Sequence, residues 1–409
     1  MVPLFIIAAT ACLTLALAAP GAAEAPGRPP VSFDKPELLN PPHTYEAPKG
    51  LEADGLSALY LEGPTYKGKP TRIFAYCGVP PRKGGEKLPG IVLVHGGGGT
   101  AFPEWVRLWN RRGYAAIAMD TVGALPNGQS HDFHGPSGYD AGFTQVDDPV
   151  EDQWVYHAVA AVILAHSHLR SIPEVDPNRI GLTGISWGAY LACIVAAADP
   201  RFKFAAPVYG CGYLGENSAW SPALEGLGDG GRKWLDLWDP ARYLPFVRMP
   251  ILWVSGTNDF AYPLESLRKS YRLPRTPRTL CIRVRMPHGH GGPAENADEI
   301  HAFADHLVNG GPPLAAITNQ GRRGRAAWAA FASPAPVVRA ELNFTRDRGV
   351  WQRRWETVAA HIDAAGKRVR SVLPADATAY YFNIIDERGL IVSTEHEVLE
   401  SCTQSAGSR

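Results

Sequence analysis

Charge of one sign is what this chain lacks: 40 Lys and Arg stand against 40 Asp and Glu in 409 residues. Without a net field there is nothing to draw in a polyanion, which excludes nucleic acid as a partner and points to a small or neutral substrate. Cysteine is scarce too, at six residues. No Cys-x-x-Cys or His-Glu-x-x-His spacing occurs, so neither a metal site nor a cofactor is expected. Of the six, Cys12 would leave with an N-terminal leader. The other five, Cys77, Cys193, Cys211, Cys281 and Cys402, are an odd number that allows at most two internal disulfides. Cys193 and Cys281 sit in apolar helix-like and strand-like patterns and read as buried small hydrophobes. The apolar run Val2 to Ala19 is short for a membrane span. It ends in small residues, Ala23-Glu24-Ala25, so residues 1–25 read as a secretory signal, although no Lys or Arg precedes the run. The expectation is a secreted or periplasmic protein with no membrane attachment once the signal is removed.

What is present divides the chain. Residues 26–56 are rich in Pro and Gly and read as an extended lead-in. From residue 57 to 312 apolar runs of strand length alternate with helical patterns. The runs are Ala58–Leu61, Arg72–Tyr76, Ile91–Val94, Ala115–Met119, Ile180–Thr183, Phe204–Val208, Ile251–Ser255 and Leu280–Met286. Helices are expected near 103–113, 150–168, 187–198, 262–271 and 296–309, the second capped by Asp148 with Pro149 in its first turn. This alternation predicts a doubly wound, mostly parallel α/β sheet. Two long connections, 121–147 and 209–248, are long enough either to shape a pocket or to pack their aromatics, Trp220, Trp234, Trp238 and Tyr243, onto the domain. After Gly310-Gly311-Pro312-Pro313 the alternation stops. Short β-like runs between 330 and 405, with Asp386-Glu387-Arg388-Gly389 as a hairpin turn, predict a small β-sandwich that covers a face of the first domain or binds carbohydrate.

The chemistry starts at Gly184-Ile185-Ser186-Trp187-Gly188. An apolar strand before it and an alanine-rich helix after it are the context of a G-x-S-x-G nucleophile elbow. A serine hydroxyl needs a histidine base, and the base needs a carboxylate to hold its tautomer. Asp259, just past the strand Ile251–Ser255, is the candidate acid; Asp120 is the alternative but precedes the serine. Two histidines in Pro287-His288-Gly289-His290-Gly291 compete as base. His290 is favoured over His288 because its flanking glycines leave the ring room, and the other is expected to make supporting hydrogen bonds. The oxyanion hole is expected from the N–H of Trp187 and from Gly97 and Gly98 in His95-Gly96-Gly97-Gly98-Gly99. No G-x-x-x-x-G-K-[ST] follows that run, which argues against phosphate binding there.

The elbow, the HGGG loop, the ordered Asp259 and His290 and the stretch 176–213 resemble the α/β-hydrolase superfamily, in its dienelactone hydrolase, acetyl xylan esterase and prolyl-oligopeptidase-like branch. The resemblance covers about residues 57–310 and implies a Ser-Asp-His hydrolase of esters, in the acetyl xylan esterase group often those of acetylated sugars. Dienelactone hydrolases carry cysteine where this chain has Ser186. The leading expectation is an exported serine carboxylesterase acting on a small-molecule or carbohydrate ester. A peptidase of prolyl-oligopeptidase type is the second reading, although the stretch between the signal and His95 is too short for that family's propeller. An inactive hydrolase-fold binding protein is the third.

Overall fold

The computed structural model describes residues 27–399 apart from 82, 83 and 139, so the expected signal at 1–25, Cys12 and Cys402 lie outside the described residues. A nine-stranded sheet organises the first three quarters of the chain. Its strands are β1 (Thr44–Glu46), β2 (Ser57–Tyr66), β3 (Lys69–Gly78), β4 (Leu88–Val94), β5 (Ala115–Met119), β6 (Val175–Ile185), β7 (Ala205–Val208), β8 (Ile251–Gly256) and β9 (Arg278–Arg283). They lie in the order β1-β2-β3-β5-β4-β6-β7-β8-β9. The first three join antiparallel, β3 meets β5 antiparallel, and from β5 onward all pairs are parallel.

Helices cover both faces of the parallel part, which is why β4, β5, β7 and β8 are buried along their whole length and read as unbroken apolar runs. One face is packed by the helices Trp154–Ser171 and Trp187–Ala198, the other by Pro103–Arg111 and Asp298–Asn309. The Trp154–Ser171 helix is buried nearly all round. That burial explains its weak amphipathic pattern.

Three expectations change in detail. The helix expected from 150 starts at Trp154; Val150–Asp152 is a separate 3₁₀ turn. Asp148 caps nothing there and instead faces Lys67 Nζ at 3.6 Å. The lead-in is not merely extended: β1 joins the sheet edge, and Phe33 and Leu38 are buried, Phe33 stacked on Tyr156. Residues 209–248 are not one loop but short helices at Leu214–Asn217, Ser221–Gly226 and Asp229–Trp238. Trp234, Trp238 and Tyr243 go into the core, while Trp220 stays at the surface of the cavity described below.

The C-terminal β region begins at Ala316, ahead of residue 330, because β10 (Ala316–Arg323) and β11 (Ala326–Ala332) already belong to it. β10 and β11 form a four-stranded antiparallel sheet with β15 (Arg368–Val372) and β14 (His361–Asp363). A second sheet joins β13 (Trp355–Ala359), β12 (Val337–Thr345), β16 (Ala379–Asp386) and β17 (Ile391–Ser393), with β18 (Glu397–Val398) on β16. The turn at 386–389 closes β16 onto β17, with Gly389 at φ 82° and Asp386 O accepting its N–H at 2.9 Å.

This module lies along β9, the exposed end of the large sheet. Ile282 N–H donates to Ser393 Oγ at 2.7 Å, and Asn383 Nδ2 donates to Ile282 O at 3.1 Å. Side chains of the small sheet thus satisfy backbone groups that an edge strand otherwise offers to water or to another chain. Arg272 and Arg278 close the seam on Glu395, and Ile391 N–H donates to Glu299 at 2.9 Å. Among the described residues the four cysteines, Cys77, Cys193, Cys211 and Cys281, are buried and unbridged. Burial pushes the Cys77 and Cys281 thiols up to about 12, so they stay protonated.

Candidate active site

Central strands β4 and β6 end together, and the loops that follow them build the site. β6 ends at Ile185 and the helix starts at Trp187, which leaves Ser186 alone at the bend with φ 58° and ψ −118°. A side chain in that region is strained, and the surroundings hold it there. Close approach requires glycine on both sides. A Cβ on Gly184 would lie 2.3 Å from Gly188 O, and one on Gly188 would lie 2.1 Å from Val94 O. This elbow lifts Ser186 Oγ off the sheet toward the loops after β8 and β9.

His288, not His290, meets it. Its Nε2 lies 2.8 Å from Ser186 Oγ and its Nδ1 lies 2.7 Å from Asp259 Oδ2. An ionised carboxylate only accepts, so the proton sits on His288 Nδ1, leaving the Nε2 lone pair for the serine hydroxyl. Asp259 is held in turn by the N–H groups of Ala261 and Tyr262, both on its Oδ1 at 2.9 and 2.7 Å. The His288 ring lies between Tyr209, stacked at 4.2 Å, and Phe260 at 4.6 Å. Tyr209 OH donates to Gly289 O at 2.7 Å and accepts from Gly289 N–H at 3.1 Å, fixing the backbone next to the histidine.

The preference for His290 fails for a physical reason. Its neighbouring glycines serve a turn: Gly291 and Gly292 take φ 81° and 53° on the way into the short helix Gly292–Glu295. His290 instead accepts the Gly96 N–H on Nε2 at 2.9 Å and faces Glu295 with Nδ1 at 2.9 Å. The support from Tyr209 and Phe260 was not legible either. Both follow strand ends, but no sequence pattern marks an aromatic that will cover an imidazole.

The glycine loop crosses in front of the elbow. A Cβ on Gly96 would lie 3.1 Å from Ser186 Cβ, and one on Gly97 would lie 2.7 Å from Trp187 Cδ1. Among the described residues no protein acceptor takes the N–H of Gly97, Gly98 or Trp187. Behind the loop, His95 donates from Nδ1 to Gly96 O at 2.8 Å and accepts the Thr121 N–H on Nε2 at 3.0 Å. Burial lowers the His95 pKa to about 4, so the ring is neutral. Asp120, the alternative acid, lies 3.8 Å from this ring and away from Ser186. Its Oδ2 accepts the N–H groups of Val122, Gly123 and Ala124, which starts the 121–147 connection, and burial raises its pKa to about 7.

Ser186, His288 and the glycine loop open into a cavity of about 690 Å³ walled by Trp154, Trp187, Trp220 and Phe260. Trp187 packs on Trp220 at 4.5 Å, and Trp154 Nε1 donates to Thr121 O at 2.7 Å. Among the described residues no ionisable side chain other than the histidines lines it.

Residues 60–216 match the acetyl xylan esterase family (AXE1). The solved acetyl xylan esterase from Paenibacillus sp. R4 is 20% identical with a TM-score of 0.54, covering 66% of this chain and 91% of that one. Acetyl xylan esterase 1 from Thermoanaerobacterium sp. JW/SL YS485 is 18% identical with a TM-score of 0.51, covering 65% and 88%. At these identities the likeness is one of fold. The uncharacterized peptidase YuxL of Bacillus subtilis is 26% identical over 209 residues, 46% of this chain but only 28% of that longer protein. Sheet order and the strand–Ser186–helix elbow give this chain the α/β-hydrolase fold, and over residues 60–216 it is similar to the acetyl xylan esterase family.

Proposed function

We propose that this hydrolase is a serine esterase of short-acyl esters, acting through Ser186, His288 and Asp259. The observation that carries the reading is the unbroken line from Ser186 Oγ through both nitrogens of His288 to Asp259 Oδ2, at 2.8 and 2.7 Å. His288 Nε2 takes the hydroxyl proton as Oγ attacks the ester carbonyl. The imidazolium formed is stabilised by Asp259, then gives the proton to the departing alcohol. Water repeats the cycle on the acyl-enzyme and releases the acid and the free serine. Gly97 and Trp187 N–H groups receive the oxyanion; one such donor is worth about 3 kcal/mol of barrier.

Substrate class follows from the cavity. Indole walls with no carboxylate or fixed cation among the described residues suit a neutral alcohol such as a sugar, whose C–H faces pack on aromatic rings. The match to the acetyl xylan esterase family favours an acetylated carbohydrate. Peptide hydrolysis is the second reading, favoured by the relative named as a peptidase.

Purified protein is expected to cleave p-nitrophenyl acetate, with Ser186→Ala lowering kcat by on the order of 10⁴- to 10⁶-fold. A fluorophosphonate is expected to label Ser186. Activity that survives Ser186→Ala, or a label on another residue, would sink the serine mechanism. Acetylated xylan set against peptide amides would decide between the two substrate classes.

A further inference from the structure

His290 stands outside the Ser186–His288–Asp259 line, yet it borders the same cavity and both its ring nitrogens are committed. Because Gly96 N–H donates to Nε2, the ring proton must be on Nδ1, where it donates to Glu295 Oε1. Phe102 packs on the imidazole at 4.4 Å and Trp105 at 5.9 Å. Ring orientation and tautomer are both set.

Gly96 is where this matters. Its Cα lies against the nucleophile, close enough that any Cβ would meet Ser186. Its carbonyl accepts from His95 Nδ1 at 2.8 Å and from Gly99 N–H at 3.0 Å. A trans peptide is planar, so holding the Gly96 carbonyl also aims the Gly97 N–H in the opposite direction. The peptide unit before Gly96 is held by His290, and the one after it by His95. A run of four glycines has no side chains of its own to anchor it and the widest backbone freedom of any residue type. Oxyanion donors stabilise a transition state only when they already point where the charge develops.

We infer that His290, oriented by Glu295, is a positioning residue for the oxyanion loop: it holds the Gly96 amide so that the Gly97 N–H is aimed, beside that of Trp187, at the tetrahedral intermediate. The inference rests on the serine esterase reading above. It gives the site two parallel histidine–carboxylate pairs, one for the proton and one for the loop.

The test uses the full chain, with kcat expressed per site titrated by a fluorophosphonate. His290→Phe keeps the ring packing on Phe102 and Trp105 but cannot accept the Gly96 N–H. It is expected to lower kcat for p-nitrophenyl acetate at least 10-fold, toward the 10²- to 10³-fold loss of an oxyanion donor, with KM within 3-fold of wild type. Affinity for a phenylboronic acid, which forms a tetrahedral adduct on the serine, is expected to fall in step with kcat/KM. His290→Gln, whose Oε1 can accept from Gly96, is expected to recover at least threefold of the kcat lost. A residue that merely props the fold would lower the titrated fraction and the melting temperature, not kcat per site. Should His290→Phe fail to fold, Glu295→Leu tests the same chain of contacts from outside the loop, with the same expected fall. A kcat per site within twofold of wild type in the folded variant, or an unchanged boronate affinity, overturns the inference. If Ser186→Ala is dead while His290→Phe is fully active, the inference fails alone; if Ser186→Ala stays active, the serine reading fails first.

Discussion

Ser186 sits at φ 58° and ψ −118°, a conformation that glycine tolerates and a side chain does not. Replacing it by alanine removes the hydroxyl and its contact with His288 but keeps the Cβ and the strain. Replacing it by glycine removes the hydroxyl and the strain together. The difference between Ser186→Ala and Ser186→Gly therefore isolates the strain, because the lost hydrogen bond cancels. Strain of this kind costs about 1–3 kcal/mol. Glycine returns about 0.5–1 kcal/mol of that through the greater freedom of its unfolded chain. The glycine variant is thus expected to be more stable than the alanine variant by about 1 kcal/mol, or roughly 2 °C in melting temperature for a chain of this size. Urea unfolding of both variants, followed by tryptophan fluorescence, measures it, and neither variant should hydrolyse p-nitrophenyl acetate. A glycine variant less stable than the alanine one by more than about 0.5 kcal/mol would refute the argument, since Ser186 would then carry no strain for the surroundings to hold.

Gly188→Ala places a Cβ 2.1 Å from Val94 O and 2.5 Å from His95 O, both backbone atoms at the root of the glycine loop. It is expected to destabilise by about 3 kcal/mol and to remove activity; denaturation and turnover at near wild-type levels would contradict the packing described. Ser393→Ala leaves the buried Ile282 N–H of edge strand β9 without its acceptor, so a loss of about 1–3 kcal/mol is expected, with kcat/KM within twofold of wild type. Stability should fall with acidification below about pH 6.5, the ordinary histidine pKa. Burial lowers His95 and His157 to about 4 and His301 and His396 to about 3. Between those values and 6.5 the unfolded chain binds protons that the folded one refuses. Asp120, raised to about 7 by burial, and Asp239, also raised by burial, act in the opposite sense above pH 3.8, as two carboxyl groups against these four histidines. Unfolding free energy as high at pH 5 as at pH 7.5 would contradict this balance.

Residues that face one partner were legible in the sequence. β4, β5 and β8 appear as apolar runs because helices bury both their faces, and hydrophobicity alone reports that. The elbow was legible because Gly184 and Gly188 are demanded by contacts between a strand and the helix that follows it. β10 and β11 were missed as part of the C-terminal module because β10 is mostly polar and β11 alanine-rich, so neither carries much pattern, and β15, the partner of β11, is some forty residues away. The start of the helix at Trp154 was misplaced because a proline such as Pro149 opens a 3₁₀ turn as readily as an α-helix.

By itself the sequence determined the strand–serine–helix turn and the doubly wound sheet, since each depends on neighbours within a few residues or on burial along one segment. Only the tertiary structure decided between His288 and His290. That choice depends on where the loops after β8 and β9 end relative to the elbow, over separations of 29 residues from Asp259 and 102 from Ser186. Both histidines have the same local chemistry. Position gives one of them Ser186 and Asp259 as partners, and the other Gly96 and Glu295.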